Sequence, residues 1–94
     1  MRVEIKKDTS TSKKYVAIFY DGDKKVKTTR FGADGFLDRT IGATAEQMKA
    51  YRARHKGDNL IDKFSAGSLS YYVLWSSTSL SQGIKKYKAR FNLK

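Results

Sequence analysis

The stretch KKYVAIFYDGDKKVKTTRF, residues 13–31, sets two runs of β-branched and aromatic residues on either side of Asp21, Gly22 and Asp23. Such runs suit the pleated, half-buried surface of a strand, and Asp-Gly tolerates the left-handed backbone of a tight hairpin turn. VEI, residues 3–5, alternates before the polar KDTSTS and reads as a further short strand. Together these segments predict a three-stranded antiparallel meander over about residues 2–31.

The periodicity changes after Phe31. Gly32, Gly35 and Gly42 punctuate a glycine-rich connection over 32–43, where φ > 0 in a tight path is the simplest use of glycine. Thr44 followed by Gln47 is a capping-box signature that opens a helix over AEQMKAYRARHK and stops at Gly57. Ser65 is placed to cap a second helix, AGSLSYYVLW, and Ser79 with Gln82 opens a third, LSQGIKKYKARFN. Strands come first and helices, over about 45–92, come second. That segregation predicts the α+β class, with three helices packed on the meander, and 94 residues suit one compact domain.

Leu80, Ile84, Tyr87 and Phe91 recur on one face of the third helix. Met48, Tyr51 and His55 share an inward face of the first. Leu69, Tyr72, Val73, Leu74 and Trp75 make the second helix the central, buried one. In the hairpin a period of two sets Lys25, Lys27 and Thr29 on one face, expected to be the outer one, and Val26, Thr28 and Arg30 on the other.

Charge narrows the function. Twenty Lys and Arg stand against nine Asp and Glu, a net +11. Self-repulsion of that size is relieved by a polyanion, and nucleic acid is the first candidate. No cysteine is present, which excludes disulfides and thiolate zinc sites. MRVEIKKDTSTSKK carries charge where a secretory apolar region would lie, and LSYYVLW is far too short to span a bilayer. The expectation is a soluble protein inside a cell or particle, with no membrane partner.

Chemistry-bearing motifs are weak. His55, the sole histidine, reads as a hydrogen-bonded core or boundary residue, and the serines as caps and turn formers. Asp34, Asp38, Asp58 and Asp62 match no calcium-loop spacing and are scattered for a two-metal site. FGADG forms neither a dinucleotide fingerprint nor a phosphate-binding P-loop. No catalytic residue, metal ligand, cofactor or small-molecule substrate is predicted, and a non-enzymatic role follows. Tyr15 or Phe31, if exposed beside the lysines, would allow base stacking, although packing is their default. The absence of RNA-recognition, KH or zinc-finger signatures leaves sequence-specific readout unsupported.

The runs RFGADGFLDRT, YRARHKGDN, AGSLSYYVLW and KARF carry a resemblance. Over about residues 24–92 the chain resembles a small basic protein family of unknown function found in large and giant double-stranded DNA viruses, of the chlorella-virus and marseillevirus type. The matching positions are Phe31, Gly32, Gly35 and Phe36, then Tyr51, Arg54 and His55, then Ala66, Gly67, Leu74 and Trp75, and last Arg90 and Phe91. Arg39 stands where that family has a second aromatic. The resemblance implies a viral setting, in a virion or an infected cell, where packed genome phosphates need neutralising.

The resulting expectation is a sequence-independent protein of double-stranded DNA that compacts a viral genome. Its phosphate contacts would be Lys25, Lys27 and Arg30 of the hairpin, Lys49, Arg52 and Arg54 of the first helix, and Lys85, Lys86 and Lys88 of the last. Neutralising roughly six phosphates would give a slope near −5 in log K against log salt. The alternative is a minor structural component of the virion whose basic face docks an acidic protein or a second copy, as a homodimer. RNA binding ranks third.

Overall fold

The computed structural model describes residues 1–57 and 60–94; Asp58 and Asn59, which fall in the sequence motifs above, lie outside the described residues. Strands β1 (Arg2–Lys7), β2 (Lys13–Asp21) and β3 (Lys24–Ala33) form one antiparallel sheet in the order β1-β2-β3. A 3₁₀ turn at Arg39–Ile41 leads into α1 (Ala45–His55). Helix α2 begins as an α turn at Ala66–Leu69 and runs straight into a π-helical turn at Ser70–Leu74, and α3 spans Leu80–Phe91. The architecture is α+β, a meander followed by three helices.

Local chemistry sets the helix starts. Thr44 Oγ1 accepts from Gln47 N at 3.1 Å and Gln47 Oε1 accepts from Thr44 N at 2.8 Å, a complete capping box. Ser65 Oγ accepts from Ser68 N at 3.0 Å, and Ser79 Oγ from Gln82 N at 3.4 Å. Asn92, left-handed at φ 54°, ends α3. Sequence pattern predicts one uninterrupted helix over 66–75, and the π turn departs from it. Residues 69–75 are apolar nearly all round, so their pattern carries no period that separates α from π.

The core lies between one face of the sheet and the helices. Val3, Ala17, Phe19 and Phe31 meet Leu69, Val73, Leu74 and Tyr87, all essentially buried. Leu80, Ile84 and Phe91 pack half-buried against them, so the α3 stripe faces inward as its spacing predicts. The Tyr87 hydroxyl donates to Lys63 O; burial, then the charge of Asp62, pushes its phenol well above the ordinary value. Val3 N donates to Lys94 O at 2.9 Å and Lys94 N to Met1 O at 3.2 Å. The C-terminal residue thus covers part of the β1 edge, which would otherwise offer unpaired backbone groups.

One register feature overturns the expected hairpin facing. Phe19 pairs with Lys27 but Tyr20 pairs with Lys25, a β-bulge that leaves Val26 over. Cross-strand partners share a face, so Lys27 sits on the side of buried Phe19, with Thr29 and Phe31. Thr29 Oγ1 donates to Phe64 O at 2.7 Å on that inner side. Lys25 joins Tyr20 on the open face instead. Strict alternation fails here because a bulge inserts one residue into one strand only.

Candidate nucleic-acid interface

The open face of the sheet is built from cross-strand rows. Arg2 pairs with Tyr20 and Tyr20 with Lys25; Lys6 pairs with Val16 and Val16 with Arg30. Lys6, Lys7, Lys25 and Arg30 line a shallow groove of about 370 Å³ floored by Val16, Ile18 and Thr28. Arg2 lies 4.2 Å over the Tyr20 ring and 3.3 Å from Glu4. Arg30 Nε stands 3.4 Å from Asp8 Oδ2. Asp8 is itself committed to the β1–β2 turn. It accepts from the Thr11 hydroxyl, and from Ser10 N and Ser10 Oγ, each at 3.0 Å. These bonds, the Thr11 hydroxyl first and the Ser10 amide next, hold its carboxyl below the ordinary carboxylate value, and the positive charge of Arg30 adds to them.

A second cationic groove, of about 540 Å³, runs between α1 and α3 and is lined by Arg52, Lys86 and Arg90 with Met48, Tyr72 and Ser76. The Arg52 guanidinium lies 4.2 Å from the Tyr71 ring centre and donates to Trp75 O at 3.3 Å. Lys86 Nζ donates to Ser76 O at 2.8 Å, and Arg90 lies 5.1 Å from the Phe91 ring. These partners are neutral, so they position the cations without cancelling their charge. Among the described lysines and arginines, the ion pairs are those of Arg2, Lys14 and Arg30.

A third cavity, of about 510 Å³, opens between the glycine-rich connection, α1 and α2, and includes Lys14, Asp38, Tyr51, Arg54, His55 and Trp75. Tyr51 is the middle of an aromatic stack, 4.1 Å from His55 and 4.3 Å from Trp75, the latter pair nearly parallel at 6°. This stack ties α1, which has no fully buried residue, to the end of α2. Lys14 Nζ meets Asp38 Oδ2 at 2.7 Å, with the two side chains 11% and 2% exposed. Asp38 Oδ1 accepts from Thr40 N at 2.8 Å, and Phe64 N donates to Asp62 Oδ1 at 2.9 Å. Both aspartates therefore serve turns, and no metal-holding group of His, Cys, Asp or Glu occurs among the described residues.

The predicted cations divide among these places. Lys25 and Arg30 share the sheet groove, and Arg52 and Lys86 share the helical one. Lys27 is on the other face of β3, and Arg54 belongs to the third cavity. Lys49 and Lys85 are exposed and Lys88 is half-buried, outside both grooves. Lys6, Lys7 and Arg90 were missed by sequence reasoning. For Lys6 the signal was present, since alternation from buried Val3 puts it on the outer face with Arg2 and Glu4. Phe31 is 1% exposed, which removes it as a stacking platform, and Tyr15 packs half-buried against it with ring centres 5.8 Å apart.

Fold and surface define a small, strongly basic α+β chain with cationic grooves on both of its layers. The chain belongs to a family of unknown function, DUF5754, whose profile matches residues 3–55, from β1 to the end of α1. No curated protein and no solved structure matches it. Among the described residues no helix is long and apolar enough to cross a membrane.

Proposed function

We propose that this domain binds double-stranded DNA without sequence preference and compacts it by holding two duplexes at once. The observation that carries this reading is the sorting of cations into two grooves, one on the open sheet face and one on the helical layer, with the sheet and core between them. The molecule measures 40 × 27 × 22 Å. Charges more than about 10 Å apart at the surface are largely screened at 0.1 M salt, so the two faces act as separate sites. A protein with two separate polyanion sites crosslinks duplexes, and crosslinking condenses them. A packaged viral genome is the setting that the sequence resemblance suggests for this activity.

The electrostatics give a sharp test. Four cations in the sheet groove would release counterions with a slope of about −3.5 in log K against log salt, whereas engagement of all nine predicted cations would give about −8. Mobility shifts of a short duplex over a salt series read this slope directly. Charge reversal of the sheet groove, Lys25→Glu with Arg30→Glu, should abolish condensation of long DNA seen by light scattering while the helical groove still binds. A flat salt profile, or condensation by the sheet-groove variant equal to the parent, refutes the reading.

A further inference from the structure

Three large apolar side chains of one loop stand in solvent: Phe36 is 70% exposed, Leu37 55% and Ile41 51%. The loop that carries them is firmly held. Phe36 N donates to Ala33 O at 3.3 Å, and Phe36 O accepts from Lys14 Nζ. The buried Lys14–Asp38 pair fixes the next turn, and Ile41 N and Ala43 N both donate to Asp38 O, at 3.1 and 3.0 Å. Asp34 N is anchored to Ser12 O at 3.1 Å. A backbone with so many bonds presents its apolar residues outward as a fixed tip, at a standing cost in exposed apolar surface that a partner would remove.

The surroundings of the tip indicate which partner. Phe36, Leu37 and Ile41 form one wall of a groove of about 430 Å³ whose other residues include Lys7, Lys13 and Asp34. Lys7 and Asp8 line both this groove and the one on the open sheet face. Lys7 and Lys13 start on the Phe31 side of the sheet by register, and Lys7 lines both grooves, so cations run from the tip round the end of the sheet to Lys6, Arg30 and Lys25. A second copy of the chain would bring like charge to the tip, which opposes self-association. A duplex suits both features, because phosphates meet the lysines while an apolar side chain enters between bases.

We propose that Phe36 and Leu37 form a wedge that enters a base step of a duplex where it passes from the open sheet face round the end of the sheet, partly unstacking it and bending the DNA. This rests on the DNA-binding reading. Apolar wedges of this kind kink duplexes by roughly 20–90°, and the unstacking penalty is of the same order as the gain from burying one or two such side chains. The bend then lets more of the lysine path reach phosphate.

The test uses the full chain with the double variant Phe36→Ala, Leu37→Ala, and Ile61→Ala as a control at another exposed apolar residue, 81% exposed. End-labelled duplex reports bending by energy transfer, and a fluorescent adenine analogue in the duplex reports unstacking. The parent and the Ile61 variant should shorten the end-to-end distance and brighten the analogue. The wedge variant should still bind, with a salt slope lower in magnitude because fewer phosphates are reached, and do neither, with less than a tenfold loss of affinity. Equal bending by the wedge variant overturns the proposal, as does a parent that binds without bending, and in both cases the DNA reading stands. Failure of the parent to bind duplex at all sinks both. Loss, in the wedge variant, of binding to anionic vesicles or to an acidic polypeptide, with no change in DNA bending, assigns the tip to that partner and also overturns the wedge.

Discussion

A Cβ on Gly83 would stand 2.0 Å from the carbonyl oxygen of Val73 and 2.9 Å from its carbonyl carbon. Helix α3 and the π turn of α2 thus meet backbone to backbone, and glycine is the residue that permits it. Gly83→Ala puts a methyl against main chain that cannot rotate away, so its cost belongs at the upper end of overpacking, about 3 kcal/mol. For a domain of this size that is a large part of total stability and about 12–20 °C in melting temperature. Thermal unfolding followed by circular dichroism checks it. A shift of only a few degrees would show that the helices separate freely.

The Lys14–Asp38 pair carries the next prediction. Removing one partner of a buried pair strands the other charge, at about 3–5 kcal/mol. Lys14→Met should lose about 3 kcal/mol in urea unfolding, because the Asp38 side chain, 2% exposed, loses its charged partner. Lys14→Met with Asp38→Asn should recover part of that loss, since the amide oxygen still accepts from Thr40 while the unpaired charge is gone. A double variant no better than the single one would show that the charge is not the problem.

The elements were largely legible in the sequence because each is announced locally. The Thr44–Gln47 box, the Ser65 cap and the Asp21–Asp23 turn act over three or four residues, within the reach of pattern reading. The site was less legible because it depends on partners far along the chain. Whether Lys25 or Lys27 faces outward is decided by a bulge opposite Phe19 and Tyr20, and nothing in KKVKTTRF marks it. Arg52 and Lys86 share a groove because each is tied to the end of α2, Arg52 through Trp75 O and Lys86 through Ser76 O, partners 23 and 10 residues away. The exposed tip at Phe36 and Leu37 was hidden for a related reason. Nothing in the sequence marks whether that apolar pair is buried, and it is the Lys14–Asp38 pair and the backbone bonds around it that pin the loop with both residues outward.

Asp8 links stability to acid. Its folded pKa is depressed, so its contribution is fully present above the unfolded value, about 3.9, and is lost as pH falls through the folded value. Thr11→Val removes the largest cause. The Asp8 carboxyl should then titrate closer to the ordinary value, and the variant should differ from the parent above pH 4 and converge with it in stronger acid. Carboxyl chemical shifts across a pH series measure the first outcome, and urea midpoints the second.

Tyr87 gives the opposite pH dependence. Its folded pKa is raised, chiefly by burial, so its contribution is fully present below the unfolded value near 10 and declines as pH rises above it. Tyr87→Phe removes the ionisable group and the bond to Lys63 O, costing about 1 kcal/mol at neutral pH. The gap between parent and variant should narrow above pH 10. Urea midpoints at neutral and alkaline pH read the difference, and a constant gap would contradict it.

Lys25 and Lys27 are two residues apart and equally suited, by sequence, to hold a phosphate. The bulge separates them: Lys25 pairs with Tyr20 and lines the open groove with Lys6 and Arg30, while Lys27 pairs with buried Phe19 on the opposite face. If DNA lies on the open sheet face, Lys25→Glu removes a phosphate contact and adds repulsion, whereas Lys27→Glu acts only at long range through screened solvent. The salt slope should fall in magnitude by about 1 for Lys25→Glu and stay unchanged for Lys27→Glu. Both substitutions alter net charge equally, so a difference between them reports position and not overall charge. Equal slopes would move the duplex off the sheet face and onto the helical groove, where Arg52→Glu and Lys86→Glu should then carry the loss.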